Sequence, residues 1–177
     1  ATVVTLAITT GTGALTGTVT KTAASGIADF AGQGLKIDLV GTNKVLTATG
    51  GGYTAATTSA FTITNAAAAK LAFTPQPSAS TAVDVAFAQQ PVVTVQDAFG
   101  NTVVGDTSTV TLTLTTGTGV LAGTLTKAAV AGVASFAGQG VAIDLVGADK
   151  VLTANGGGYT LATTSAFAIV AAADAAP

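Results

Sequence analysis

Apolar and polar residues alternate with a period of two along much of the chain. The segment Thr109–Thr115 alternates threonine with Val or Leu, and Leu35–Leu39 alternates Leu or Ile with Lys and Asp. The same alternation occurs in Val93–Gln96 and Phe61–Thr64. It gives a strand one apolar and one polar face, and the Gly-rich stretches between such segments are typical of turns. The pattern therefore predicts an all-β chain of short strands.

The chain contains two copies of one pattern, offset by 106 residues. Ile8–Lys21 reads ITTGTGALTGTVTK, and Leu114–Lys127 reads LTTGTGVLAGTLTK. The offset has no gap, and about two-thirds of the paired positions are identical. Such a period matches a whole small domain and is too long for a solenoid or propeller repeat. We therefore expect Val4–Ile63 and Val110–Ile169 to superpose strand for strand.

The second copy is complete, and the first is truncated. For residues 71–170 the pattern predicts an immunoglobulin-like β-sandwich of seven strands. These strands are 71–75, 91–97, 109–115, 121–126, 132–145 with a break at its GQG, 149–154 and part of 159–170. Ala1 aligns with Thr107, so residues 1–64 form a partial domain that holds strands three to seven only. Residues 65–70 are predicted to be an Ala-rich linker with room for one helical turn, and residues 171–177 an Ala-rich tail or linker.

The missing strands leave the first copy without part of its core. In the second copy Leu71, Phe73, Val93 and Val95 occupy these strands. Four such side chains contribute about 6–12 kcal/mol on burial, which is comparable to the net stability of a domain. Exchange between identical chains does not close every copy, because each chain has one 71–106 segment for two repeats. We expect either a longer array that supplies the strands or a contact with a neighbouring molecule, and favour the array. The start at Ala1 rather than Met agrees with a processed or excised chain.

Composition excludes several classes of function. The chain is 49% apolar but only 8% charged, with eight Asp, six Lys and no Glu, Arg, His, Cys, Met or Trp. Imidazole and thiolate catalysis, zinc binding by His or Cys, and disulfides are therefore excluded. A net charge of −2 gives no basic patch for nucleic acid. We find no apolar run of about 18 residues for a transmembrane segment and no signal peptide pattern.

Asp97, Gly100 and Asn101 form the first candidate for a binding site. A turn requires an acceptor such as Asp and a residue that tolerates a left-handed backbone, which Gly and Asn supply. A calcium site requires several more oxygen ligands, and the sequence has no cluster of aspartates beside Asp97. We therefore interpret this element as a turn and assign no metal ligand. We also expect that removal of divalent metal leaves the stability unchanged.

The remaining aspartates form no recurring catalytic pair. Asp38 and Asp144 occupy equivalent positions, whereas Asp29 is replaced by Ser135 and Lys36 by Ala142. Acid–base catalysis by carboxylates requires a close pair with different pKa values. We interpret these charges as a solvated face, and assign no catalytic residue, no cofactor-binding residue and no cofactor.

The threonine face of Thr109, Thr111, Thr113 and Thr115 has two interpretations. Threonine favours strands, so an outward row of threonines is expected in any half-exposed sheet. Alternatively, the row forms a flat lattice for a glycan or ice, or carries O-linked sugars. Aromatic residues that would favour a binding module are few, with Tyr53, Tyr159 and seven Phe. No N-glycosylation sequon occurs.

Two stretches resemble the bacterial Ig-like repeats of large surface proteins and adhesins, the type found in invasin and intimin. One is KLAFTPQP at Lys70–Pro77 followed by PVVTVQDAFGNTV at Pro91–Val103. The other is the succession VTLTLTTGTG, GVASF and GGGYTLAT between Val110 and Thr163. The resemblance implies tandem β-sandwiches, an extracellular or cell-surface location and no catalysis. It implies no particular ligand.

These observations predict a non-enzymatic extracellular segment that serves as stalk, filament or surface-layer material. The low charge supports this prediction, because small neutral side chains lose little entropy and need little desolvation when molecules pack together. The expected partners are further copies or neighbouring repeats. The alternative is an adhesin-type module that binds a glycan, a host protein or ice through its Thr-rich face or its loops.

Overall fold

A computed structural model describes residues 1–172, and every regular element in them is a β-strand. The described chain divides into two compact units, which begin at Ala1 and Ala66. Unit 1 contains β1 (Val3–Thr10), β2 (Leu15–Thr16), β3 (Thr20–Thr22), β4 (Lys36–Ile37), β5 (Gly41–Thr49), β6 (Ala56–Thr57) and β7 (Phe61–Ile63). Strands β1, β3, β5, β6 and β7 form one antiparallel sheet, and β2 pairs with β4.

Unit 2 begins with three strands that have no counterpart in unit 1. These are β8 (Ala68–Phe73), β9 (Ser80–Ala82) and β10 (Val92–Asp97). The others are β11 (Thr109–Thr116), β12 (Leu121–Ala122), β13 (Thr126–Ala128), β14 (Val133–Ser135), β15 (Ala142–Ile143), β16 (Gly147–Gly156), β17 (Ala162–Thr163) and β18 (Phe167–Val170). One sheet has the order β14-β10-β8, and a larger one the order β13-β11-β16-β18-β9 with β17 on β16. Residues of both sheets share one hydrophobic core, as in a β-sandwich.

The two copies of the repeat, Val4–Ile63 and Val110–Ile169, are here called the repeat bodies. They have the same strand pairings at the offset of 106 residues. Thr5 pairs with Thr49 in unit 1, and Thr111 pairs with Asn155 in unit 2. The register shift that follows Ile8 recurs after Leu114. The short pairs β2–β4 and β12–β15 are also equivalent. The expectation of equivalent strands is therefore met at the level of pairing and register.

The structure corrects several predicted boundaries. The proposed linker 65–70 is shorter, because β8 starts at Ala68 and Lys70 pairs with Gln96. Strand β9 was not predicted, so the first copy lacks three N-terminal strands and not two. The predicted strand 121–126 is divided into two short strands, whereas the break predicted at the GQG within 132–145 is present between β14 and β15. Within the predicted tail 171–177, residues 173–177 lie outside the described residues.

Gly123 explains why the predicted strand 121–126 is divided. Its φ is +98°, and a Cβ at this position would lie 2.6 Å from the carbonyl oxygen of Gly140. Only glycine fits such a close approach with a left-handed backbone. The chain bends there between β12 and β13, and Gly17 has the same role in unit 1 with a φ of +98°.

Candidate functional site: the open face of unit 1

Unit 1 presents an apolar face whose counterpart in unit 2 is buried. Nine inner side chains of unit 1, here called the open face, are only partly buried: Val4, Leu6, Phe30, Leu35, Ile37, Leu46, Ala48, Phe61 and Ile63. Their counterparts are between 0% and 4% exposed: Val110, Leu112, Phe136, Val141, Ile143, Leu152, Ala154, Phe167 and Ile169. Eight of the nine pairs are identical, the exception being Leu35 and Val141. The difference in burial therefore comes from what covers the face.

In unit 2 the cover consists of residues 66–106. Leu71 and Phe73 of β8 and Val93 and Val95 of β10 are at most 7% exposed and belong to the core that includes the counterparts of the open face. Phe87 contacts Phe167 edge to face, with 5.4 Å between ring centroids. Removal of these side chains from water is the main stabilising contribution of the segment.

Main-chain hydrogen bonds also join this cover to the repeat body. Strand β10 pairs with β14, and β9 pairs in parallel with β18. Val141 is held on both sides, because its N–H donates to Gln90 Oε1 at 3.0 Å and its carbonyl accepts from Phe87 N at 3.0 Å. Among the described residues of unit 1, Leu35 has no such partner, and residues 27–29 form no counterpart of β14.

The exposure and hydrogen bonding of the equivalent tyrosines differ between the covered and the uncovered copy. The Tyr159 hydroxyl donates to Asp106 Oδ2 at 2.5 Å and lies 3.1 Å from Ser108 Oγ. Burial alone would raise the pKa of Asp106, but the hydrogen bonds from Tyr159 and Ser108 lower it below its ordinary value. The equivalent Tyr53 is 74% exposed, since unit 1 contains no counterpart of Asp106.

The Asp97 side chain holds a turn, as predicted. Its Oδ1 accepts the N–H groups of Phe99 and Asn101 at 2.9 Å, and its Oδ2 accepts from Ala66 N at 3.0 Å and Asn101 Nδ2 at 2.9 Å. Gly100 has a φ of +92°, the left-handed residue that the turn requires. Burial would raise the pKa of Asp97, but these donors together hold it below its ordinary value. The carboxylate thus binds the turn and the first residue of unit 2.

Asp29 and Asp144 are exposed, as expected for a solvated face, and together with Asp38 they also fix loops. Asp38 Oδ1 accepts from Ala14 N, and Asp144 Oδ1 accepts from Val120 N, both at 2.7 Å. Asp29 Oδ1 accepts from Ala31 N at 2.8 Å, and Ser135 Oγ accepts the equivalent N–H of Ala137 at 3.3 Å. Lys36 and Ala142 lie in equivalent short strands. Among residues 1–172, no three acidic side chains come together where a metal ion could bind.

The threonine face is engaged in hydrogen bonds across strands. Thr115 Oγ1 lies 2.7 Å from Thr153 Oγ1, and the equivalent Thr9 and Thr47 hydroxyls are 2.6 Å apart. Thr111 lies 3.2 Å from Thr126 in the same way. These pairs link neighbouring strands of the sheet.

Sequence reasoning missed a buried lysine in each copy. Among the described residues 1–65, Lys44 is the one fully buried residue, at 1% exposed, and Lys150 is also 1% exposed. Lys44 Nζ donates to the carbonyl of Thr12 at 2.5 Å, and Lys150 Nζ donates to that of Thr118. Lys44 has the same phase along β5 as Leu46 and Ala48, which was the available signal. Each lysine binds the Gly-rich loop of its own copy, and Lys44 does so in a unit that has no counterpart of residues 66–106.

Comparisons with known families and proteins leave the chain without an assigned relative. No known family matches it, and no characterised protein matches it significantly. Within residues 1–172 there is no helix with the length and hydrophobicity needed to cross a membrane. Among the described residues, the open face is the feature whose apolar side chains lack the cover that their counterparts in unit 2 have. Its chemistry suits an extended polypeptide that supplies apolar side chains and main-chain hydrogen bonds.

Proposed function

We propose that this chain is a non-enzymatic structural segment of a bacterial extracellular protein, built of tandem Ig-like repeats that form stalk, filament or surface-layer material. The observation that carries the proposal is the recurrence of one repeat body with the same register, closed in unit 2 and open in unit 1. A repeat body with an open face requires a neighbour, either another repeat or another molecule, to bury its apolar residues.

The polar side chains support a structural role. The retained carboxylates of Asp38 and Asp144 accept loop N–H groups, and the buried lysines donate to loop carbonyls. Each of these groups stabilises the fold. Because the chain carries few charges, close packing between molecules requires little desolvation of charged groups. The resemblance to bacterial surface repeats supports the extracellular location.

The alternative is an adhesin-type module that binds a glycan, a host protein or ice through its Thr-rich face or its loops. The cross-strand hydroxyl pairs of that face favour the structural role, because part of the hydrogen-bonding capacity is used within the sheet. A ligand would have to compete with these bonds.

Electron microscopy of the purified full chain over a range of concentrations tests the proposal. We expect ordered fibres or layers to form as concentration rises, through contacts between sheet edges and weakly charged surfaces and not through exchange of residues 66–106. Dispersed molecules at all concentrations would contradict self-assembly. If those molecules also bound a glycan or ice, and the double variant Thr113→Val/Thr115→Val lost that binding, the adhesin alternative would replace the proposal.

A further inference from the structure

We propose that the open face of unit 1 is a docking surface for a polypeptide segment of the 66–106 type, supplied by another repeat of this kind. This inference rests on the proposed function, since it names the partner through which repeats join. The partner is an extended segment with the side-chain pattern of β8, β9 and β10. It is not a second open face.

The first argument is steric and residue by residue. Residues 66–106 of unit 2 cover counterparts of the open face that are identical in type at eight of nine positions. Seven of the nine lie in strands that have the same pairings in both units. A segment of the same pattern therefore finds a matching surface on unit 1, with places for the counterparts of Val93, Val95 and Phe87.

The second argument concerns the main chain. In unit 2 the carbonyl of Val141 accepts from Phe87 N and from Gln90 Nε2 at 3.1 Å, and the carbonyl of Ile143 accepts from Asp84 N at 3.0 Å. Leu35 and Ile37 present the equivalent carbonyls on unit 1. A strand-like segment satisfies these groups in a fixed register, whereas an apolar small molecule or a flat apolar surface does not.

The third argument is the exposed Tyr53. Tyr159 donates to the carboxylate of Asp106, the last residue of the covering segment. Because Ala1 aligns with Thr107, the counterpart of Asp106 on an incoming segment ends beside Tyr53, where a phenol is 74% exposed. The tyrosine thus provides a polar contact that fixes the end of the segment, in addition to the apolar contacts.

Simple exchange with an unaltered copy of the same chain does not supply the segment to every unit, because the number of segments is too small. Each chain holds one 66–106 segment, which is already seated in unit 2. Lending it to unit 1 of a neighbour opens unit 2 of the donor. The partner is therefore a further repeat whose segment is not already used.

The test is titration of the full chain with a synthetic peptide of residues 66–106, followed by NMR of ring-labelled tyrosine. The chain has two tyrosines, one in each copy, so the signals distinguish unit 1 from unit 2. We expect saturable binding that shifts the Tyr53 signal and leaves Tyr159 unchanged. The peptide with Val93→Ser and Val95→Ser should bind at least about a hundredfold more weakly. The chain variant Tyr53→Phe should bind the original peptide about threefold to tenfold more weakly.

Several outcomes would overturn the inference. These are no binding, equal binding of the serine-substituted peptide, or a shift confined to Tyr159, which would mean exchange into unit 2. A stable dimer in sedimentation that blocks the peptide would replace the segment by a second copy as the occupant. Fibres in electron microscopy without peptide binding would leave the structural function standing and remove this inference alone.

Discussion

Units 1 and 2 contain the same repeat body in two different states of closure. Leu6 and Leu112 lie in equivalent strands, and each donates its N–H to an equivalent carbonyl at 2.8 Å, yet Leu112 is 1% exposed and Leu6 is only partly buried. Local elements such as turns, bulges and buried lysines are therefore a property of the body itself. Closure of the core is a property of residues 66–106, which only unit 2 possesses within the described chain.

The largest expected effect comes from truncation of a matched pair of core phenylalanines. Phe136 is fully buried, and its counterpart Phe30 is partly buried. Phe136→Ala should destabilise unit 2 by about 3–5 kcal/mol, because it removes a buried ring and leaves a cavity. Phe30→Ala should destabilise unit 1 by about 1 kcal/mol or less, because water already reaches that side chain. Urea unfolding followed at Tyr53 and Tyr159 measures the stability of the two units separately. Equal losses of stability in both units would contradict the difference in closure.

Asp97 should make unit 2 sensitive to acid. Its folded pKa lies below the ordinary value of about 3.9, so its contribution is complete above about pH 4 and is lost as pH falls through the folded pKa. Asp97→Asn should cost unit 2 about 1–3 kcal/mol at neutral pH, because the amide cannot accept all four N–H groups. The variant should also flatten the acid limb of unit 2 stability. An unchanged acid limb would assign that dependence to another group. Asp144→Asn is the control in the same unit, where the carboxylate accepts the N–H of Val120.

Unlike the preceding substitutions, replacement of the buried lysines should have the same effect on stability in both units. Lys44→Met and Lys150→Met each remove a bond to a loop carbonyl within the repeat body. We expect a loss of about 1–2 kcal/mol in either unit, since the unsatisfied carbonyl costs energy while the removed charge no longer needs desolvation. Thermal unfolding of the two variants checks this. A much larger loss for Lys150 would show that its environment depends on the cover after all.

The tyrosines give the smallest effect. Tyr159→Phe should destabilise unit 2 by about 1–2 kcal/mol, because the Asp106 carboxylate loses a charge-assisted hydrogen bond. Tyr53→Phe should leave unit 1 within about 0.5 kcal/mol, as expected for an exposed side chain without such a partner. Hydrogen exchange on both variants measures the difference. A comparable loss in unit 1 would indicate a contact of Tyr53 that the comparison does not include.

Alternation of apolar and polar residues predicted most of the strands, because each has a water-facing and a core-facing side. It did not predict β9, whose three residues include one buried side chain, Thr81, and whose parallel pairing with β18 is set by the tertiary fold. The boundary at Ala68 was also missed, since alanines fit a linker as well as a strand. Lys44 was not singled out, because a charged residue is rarely buried, although its phase along β5 matches the core. The open face followed directly from the missing 71–106 counterpart.

Amide hydrogen exchange of the dilute full chain, compared at Leu6 and Leu112, tests the central claim most directly. The two N–H groups make equivalent bonds of 2.8 Å to Val19 and Leu125, so local hydrogen bonding does not distinguish them. If closure by residues 66–106 separates the units, the Leu112 amide should exchange at least about a hundredfold more slowly than that of Leu6. Equal protection of the two amides in a monomer would show that the repeat body is stable without its cover and would contradict the account.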